Sequence, residues 1–160
     1  MDQADFDIRA GTVRDLDAVN AVITAAVMGW DLPERVKRLS LPSYRYDAIA
    51  LGHLDMVVAV QGDRVIGVAA WESAHPRDAP GGAPALLLHG LYVDPAWQRR
   101  GVGRRLLAAV TRAAVADEVA GVLVKAQVDA RDFFAASGFA AIDVEDPARH
   151  YAHRYWLPMR

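Results

Sequence analysis

Residues 94–107 read DPAWQRRGVGRRLL. Immediately before them runs ALLLHGLYV, residues 85–93, a largely apolar stretch of the kind a strand shows when both its faces are covered near the centre of a sheet. Pro95 stops that strand. From Gly103 onward Leu106, Leu107, Val110, Ala113, Ala114 and Val119 recur at helical spacing, with Arg104, Arg105, Arg112 and Asp117 mostly on the other side. Strand, glycine-containing loop and amphipathic helix therefore follow one another without interruption. Gly101 and Gly103 remove side chains where the helix opens, so backbone N–H groups can approach a ligand closely. Those amides have no helical partners, and the positive end of the helix dipole adds to them. Arg99, Arg100 and Arg104 supply charge-assisted donors. The pattern suits a phosphate; the competing reading is a capped surface helix with solvated arginines. A P-loop would need Gly-Lys-Ser or Gly-Lys-Thr where this chain has Gly103-Arg104-Arg105, and a dinucleotide fingerprint would need glycine at Leu106.

Working outward, Phe6 to Ala10 reads as a strand, and Asp15 as the N-cap of a helix through LDAVNAVITAAV, residues 16–27. Pro33 opens a second short helix through ERVKRL, followed by an aromatic loop, LPSYRYDA, residues 41–48. MVVAVQGDRVIGVAAWES, residues 56–73, reads as a hairpin turning at Gly62-Asp63. HPRDAPGGAP, residues 75–84, holds three prolines and two glycines and reads as an irregular, mobile loop. VLVKAQV, residues 122–128, is a further strand, and Ala130 to Ser137 a short helix closed by Gly138. AAIDVED (140–146) and YAHRYWLPMR (151–160) read as two last strands. The order is strand, one or two helices, three strands, helix, strand, helix, two strands, a mixed α/β (α+β) class in a single domain, residues 1–160.

Composition narrows the function. The chain has 160 residues, 53% hydrophobic and 24% charged, enough for one real core without disulfides or a structural metal. With no cysteine, thiolate zinc sites and cysteine nucleophiles are excluded. No apolar run reaches the roughly 18 residues of a membrane span, and MDQADFDIR lacks the regions of a secretory signal. A cytoplasmic protein with no membrane and no metal is expected. The formal net charge of −2 argues against nucleic acid as partner, despite the local crowding of Arg99, Arg100, Arg104 and Arg105.

Gln98-Arg99-Arg100-Gly101-Val102-Gly103 resembles motif A of the GNAT superfamily of N-acetyltransferases, [QR]-x-x-G-x-[GA], in its expected place between strand and helix. IRAGTVRD, the hairpin and ARDFFAASGF are similar to other parts of that family, so the likeness spans nearly the whole chain. It implies the acyl-CoA N-acyltransferase fold: a central mixed, mostly antiparallel sheet with two splayed parallel strands, here LLLHGLYV and VLVKAQV, flanked by helices.

The resemblance further implies acetyl-CoA as co-substrate and an amine of a small molecule or peptide as acceptor. Implied cofactor contacts are Leu91, Tyr92 and Val93 on the central strand, then Gln98, Arg99, Arg100, Gly101, Val102, Gly103 and Arg104. Asp129 stands where an asparagine is usual, and Phe133 and Phe134 form core and cofactor wall. Direct attack on the thioester generates an oxyanion for which backbone N–H groups near Leu91 and Tyr92 are the expected donors. His89 shares a sheet face with Leu91 and Val93 by strand alternation, and histidine's ordinary pKa of about 6.5 suits a base. A packed structural histidine is the equal alternative, and His53 is a weaker rival. Where the family often carries a tyrosine acid, this chain has Phe134; Tyr92 or Tyr151 are the substitutes. Trp30, Tyr44, Tyr46 and Trp71 are candidate substrate contacts. A homodimer is a further expectation. Loss of the acid tyrosine motivates an alternative, an acyl-CoA-binding sensor or regulatory module with little turnover.

Overall fold

The computed structural model describes residues 6–126, 130–143 and 153–159. In chain order the elements are β1 Asp7–Ala10, α1 Leu16–Met28, α2 Glu34–Tyr44, α3 Ala48–Leu51, β2 Asp55–Gln61, β3 Arg64–Ser73 and β4 Ala85–Val93. They continue with α4 Val102–Ala116, β5 Gly121–Lys125, α5 Arg131–Ala136, β6 Ala140–Ala141 and β7 Arg154–Pro158. The strands form one sheet in the order β1-β2-β3-β4-β5-β7-β6, with helices flanking it. Pairing is antiparallel for β1 with β2, β5 with β7 and β6 with β7, and parallel for β4 with β5. The expected mixed, mostly antiparallel fold with one parallel pair is therefore the fold observed.

By internal contacts the chain divides into two compact units, Met1–Ala70 with Gly90–Ala109, and Trp71–His89 with Val110–Arg160. In the first, α1 buries Val19, Val22, Ile23, Ala26 and Val27, the i, i+3, i+4, i+7, i+8 stripe of an amphipathic helix. They join Leu41, Tyr46, Leu54, Met56, Val58, Val65, Val68 and Tyr92 in one core. Full burial of each valine or isoleucine contributes about 1.5–3 kcal/mol. Asp15 starts this region differently from the expected N-cap of α1. It closes a capping box with Thr12 around a 3-10 turn at Val13–Asp15 and makes no side-chain cap bond to α1 itself. The reason is Arg9, whose two terminal nitrogens each lie 2.9 Å from the Asp15 carboxylate. At the other end, Lys37 Nζ donates to the carbonyls of Met28 at 2.6 Å and Trp30 at 3.2 Å, compensating the negative end of α1.

LPSYRYDA is not one loop. α2 runs on through Pro42 to Tyr44, and Asp47 then caps the short α3 by accepting from Ala50 N at 2.8 Å. Pro42 falls in the last turn of α2.

In the second unit β5 is apolar and buried at Val122, Leu123 and Val124, as a strand paired on both sides should be. The loop after β3 is ordered into 3-10 turns at Pro76–Asp78 and Pro80–Gly82. Arg154, 2% exposed, holds it by donating to Asp78 O at 2.6 Å and to Asp143 O at 3.0 Å. Lys125 adds a contact to the Asp78 carboxylate at 3.5 Å. The AAIDVED strand reduces to Ala140–Ala141 among the described residues.

Candidate functional site

Two glycines organise the first unit around the end of β4. At Gly67 on β3, a Cβ would lie 2.9 Å from Val102 Cγ1, 3.0 Å from Leu106 Cδ1 and 3.3 Å from Tyr92 O. Glycine there lets the start of α4 settle directly on the sheet beside Tyr92. Val102 and Leu106 are buried at 1% and 0% exposure, which pins the helix by its apolar face. Asp94 N donates to Ile66 O at 2.9 Å, and the Asp94 carboxylate accepts from Ala96 N at 2.9 Å, so β4 ends in a tight 3-10 turn at Pro95–Trp97.

The loop between that turn and α4 is conformationally unusual. Arg99 has φ 65° and Gly101 φ 83°. For Gly101 this region costs little; for Arg99 it stores strain of about 1–3 kcal/mol. A Cβ on residue 101 would meet nothing within 4 Å, so the loop opens outward. The first helical hydrogen bond runs from Arg105 N to Gly101 O at 3.1 Å, which leaves the amides of Val102, Gly103 and Arg104 ahead of the ladder. Gln98, Arg99, Arg100 and Arg104 are exposed around them. Arg100 stacks over Trp97, 4.8 Å from its centroid. Arg105 is turned away: its guanidinium lies 4.4 Å from the Phe6 ring centroid and donates to Phe6 O at 2.7 Å. Free helix-start amides beside arginines are donors of the kind that anions accept from.

On β4, Ala85 and Leu86 are both buried, as a strand covered on both faces requires, but this covering does not continue to His89. His89 is exposed, Leu91 and Val93 half-buried, while Leu88 and Tyr92 are buried. The parallel register with β5 extends from Ala85↔Gly121 to Leu88↔Val124, and β4 runs on to Val93. Three of the expected substrate aromatics cluster with Tyr92. Trp30 and Tyr44 meet edge to face at 5.3 Å, and Tyr44 and Tyr92 at 6.5 Å. Tyr46 reaches the same strand: a Cβ at Gly90 would lie 2.5 Å from Tyr46 Oη and 2.6 Å from Tyr92 Cε2. Burial, and then repulsion by Tyr44, push the Tyr92 phenol pKa up.

Trp71 belongs to the second unit, where it is buried on β3 at 7% exposure. Phe134 is a core ring there, 5.2 Å from both Phe133 and Phe139. His53 is exposed in the turn after α3. Asp129 and Tyr151 lie outside the described residues. The open groove of about 700 Å³ between α1 and the β2–β3 turn, lined by Ala18, Ala21, Ala25 and Arg64, contains none of these candidates. Gly67, Gly90 and Asn20 were missed in the sequence, since only their distant neighbours give them a role.

The model of the Acetyltransferase (GNAT) domain matches residues 34–160. The chain belongs to the GNAT acetyltransferase family. As a GNAT acetyltransferase it has many structural neighbours. One is a GCN5-related N-acetyltransferase from Rhodopseudomonas palustris, with TM-score 0.77 and 20% identity, covering 99% of each chain. Another is the PaiA N-acetyltransferase from Thermoplasma acidophilum in complex with coenzyme A, at TM-score 0.74 and 14% identity over 96% of this chain and 99% of that one. A third is a GNAT acetyltransferase from Brucella melitensis in complex with acetyl-CoA, at TM-score 0.66 and 17% identity over 97% and 88%. No curated protein sequence matches the chain. Among the described residues no group of three or more histidine, aspartate or glutamate side chains could hold a metal, and no helix is long and apolar enough to cross a membrane.

Proposed function

We propose that this GNAT acetyltransferase, read as one domain, moves an acetyl group from acetyl-CoA to a primary amine of a small molecule or peptide. The observation that carries the reading is the loop at residues 98–104. A left-handed Gly101 opens onto empty space, and the amides of Val102, Gly103 and Arg104 stand ahead of the α4 ladder amid exposed arginines. Two of the similar structures hold CoA or acetyl-CoA, which agrees with this assignment.

In this reading Gln98 to Arg104 grip the pyrophosphate, and Leu91, Tyr92 and Val93 align the acyl arm along β4, with Asp129, Phe133 and Phe134 as further wall. The N–H of Leu91 or of Tyr92, whichever faces the acyl group, donates to the oxyanion as the amine attacks. His89, exposed on the same strand, takes the proton that the amine must lose. Trp30, Tyr44 and Tyr46 bound the acceptor side, with Trp71 a weaker candidate.

Calorimetric titration with CoA tests the loop; absence of binding at millimolar CoA would remove the assignment. Release of free thiol from acetyl-CoA across a panel of amines then tests turnover. His89→Ala should lower kcat by about 100-fold, the ordinary worth of a positioned base. Undiminished turnover in that variant removes His89 from the mechanism. The second reading, a binding module with little turnover, is favoured by Phe134, a buried ring with no proton to give. CoA binding without thiol release for any amine would select it.

A further inference from the structure

One face of the sheet in the second unit carries a row of basic side chains. The last parallel pair between β4 and β5 is Leu88↔Val124, and the next residues along the two strands are His89 and Lys125. Lys125 is paired in turn with Arg154 of β7. Paired residues point to the same side of a sheet, so His89, Lys125 and Arg154 share one face on neighbouring strands about 4.8 Å apart. The loop after β3 lies over that face, because Asp78 meets both Lys125 and Arg154. The row is not neutralised. Arg154 is 2% exposed, yet among the described residues its guanidinium bonds to backbone carbonyls, Asp78 O and Asp143 O, and its Nε has no partner. Among the described residues the carboxylate joined to the row is that of Asp78, and it meets Lys125 Nζ at 3.5 Å, longer than the ~2.7–3.2 Å of a good hydrogen bond. Two cations therefore face one carboxylate. The Lys125 side chain is 37% exposed, and an ammonium with three donors has capacity for a further acceptor.

We propose that Lys125, backed by Arg154, recognises a carboxylate on the acceptor, so that the substrate is a small amino carboxylate of the free amino acid kind. This rests on the reading above, in which His89 takes the proton of the attacking amine. An amino acid holds its amine and its carboxylate only a few bonds apart, and side chains on adjacent strands about 4.8 Å apart can address the two groups together. Lys125 donates a charge-assisted hydrogen bond to the carboxylate, and the buried Arg154 charge makes the potential of the same face more positive. Asp78 keeps the Lys125 ammonium over the face before the acceptor arrives. An acceptor that carries a second ammonium in place of the carboxylate meets like charge there and is disfavoured.

The test offers the full-length protein a panel of L-amino acids, each beside its own carboxamide, with diamines as a third arm, and follows release of free thiol from acetyl-CoA. A carboxamide keeps the amine and the shape and loses the charge. Its amine also holds a proton less tightly, so chemistry alone favours the carboxamide. The parent should instead prefer the acids about 10- to 100-fold in kcat/KM, chiefly through KM, which is the worth of a hydrogen bond between charged groups. Equal use of acids and carboxamides, or better use of carboxamides or diamines, overturns the proposal. Lys125→Gln should shrink the preference to less than about threefold, and Lys125→Arg should keep most of it. A preference undiminished in Lys125→Gln contradicts the assignment; if that variant does not fold, the comparison of acid with carboxamide in the parent decides by itself. Amines acetylated without regard to their carboxylate sink the basic row alone, whereas no thiol release with any amine sinks the reading on which it rests and the row with it.

Discussion

The loop at residues 98–104 and the aromatic layer against Gly90 both depend on glycine, for opposite reasons. Gly101 adopts φ 83° with nothing within 4 Å of where a Cβ would stand, so its glycine serves the backbone conformation. Gly90 needs no unusual dihedral; its glycine makes room for the Tyr46 hydroxyl and the Tyr92 ring at 2.5 and 2.6 Å. The first is a property of a short chain segment. The second exists only because α1, the Tyr46 segment and β4 converge. A glycine that sets a conformation and one that grants an approach look identical in sequence, and substitution distinguishes them.

The largest effect should come from Gly101→Glu. A carboxylate in the cradle opposes a pyrophosphate, and like-charge juxtaposition costs several kcal/mol, so CoA affinity should fall about 100-fold or more by calorimetry while the fold persists. Unchanged affinity would make the loop a structural turn and erase the contrast with Gly90. Next, Gly90→Ala should destabilise by about 1–3 kcal/mol in denaturant titration, because the methyl forces Tyr46 or Tyr92 out of place. Full stability there would mean the aromatic layer is loosely packed. Gly101→Ala should cost only about 1 kcal/mol, the penalty of a left-handed dihedral without a clash. A loss larger than that of Gly90→Ala would invert the comparison.

The smallest effect concerns the support of this unit rather than its site. The hydrogen bonds from Arg9, then backbone and side-chain contacts from Thr12, hold the Asp15 carboxyl at a pKa of about 2, against burial, which acts the other way. A folded-state pKa below the unfolded value of about 3.9 means that the stabilisation is present above about pH 4 and lost as pH falls toward 2. Asp15→Asn should therefore lower stability by about 1 kcal/mol at neutral pH. The gap between parent and variant in thermal midpoint should close between pH 4 and 2. A gap independent of pH would assign the role of Asp15 to shape, not charge.

Much of the molecule was legible before any coordinates. The apolar run at residues 85–93, the glycines at 101 and 103 and the spacing of Leu106, Leu107 and Val110 named a strand, a loop and a helix that the structure contains at Ala85–Val93 and Val102–Ala116. Hairpin and α5 were equally readable, from β-branched runs around Gly62 and from Gly138 after Ala136. What misled was composition taken for irregularity. LPSYRYDA and HPRDAPGGAP carry prolines, yet Asp47 and Arg154 supply bonds that order α3 and the loop after β3.

The sequence by itself determined most of the elements, their order and the glycine loop before α4, because backbone dihedrals, helix periodicity and helix-start amides depend on neighbours in the chain. Only the tertiary structure decided which aromatic hydroxyl meets the central strand, that Arg105 ties down Phe6 while Arg100 lies on Trp97, and that Phe134 is a core ring. Those outcomes depend on packing between residues up to 99 positions apart, and local pattern carries no record of such distances.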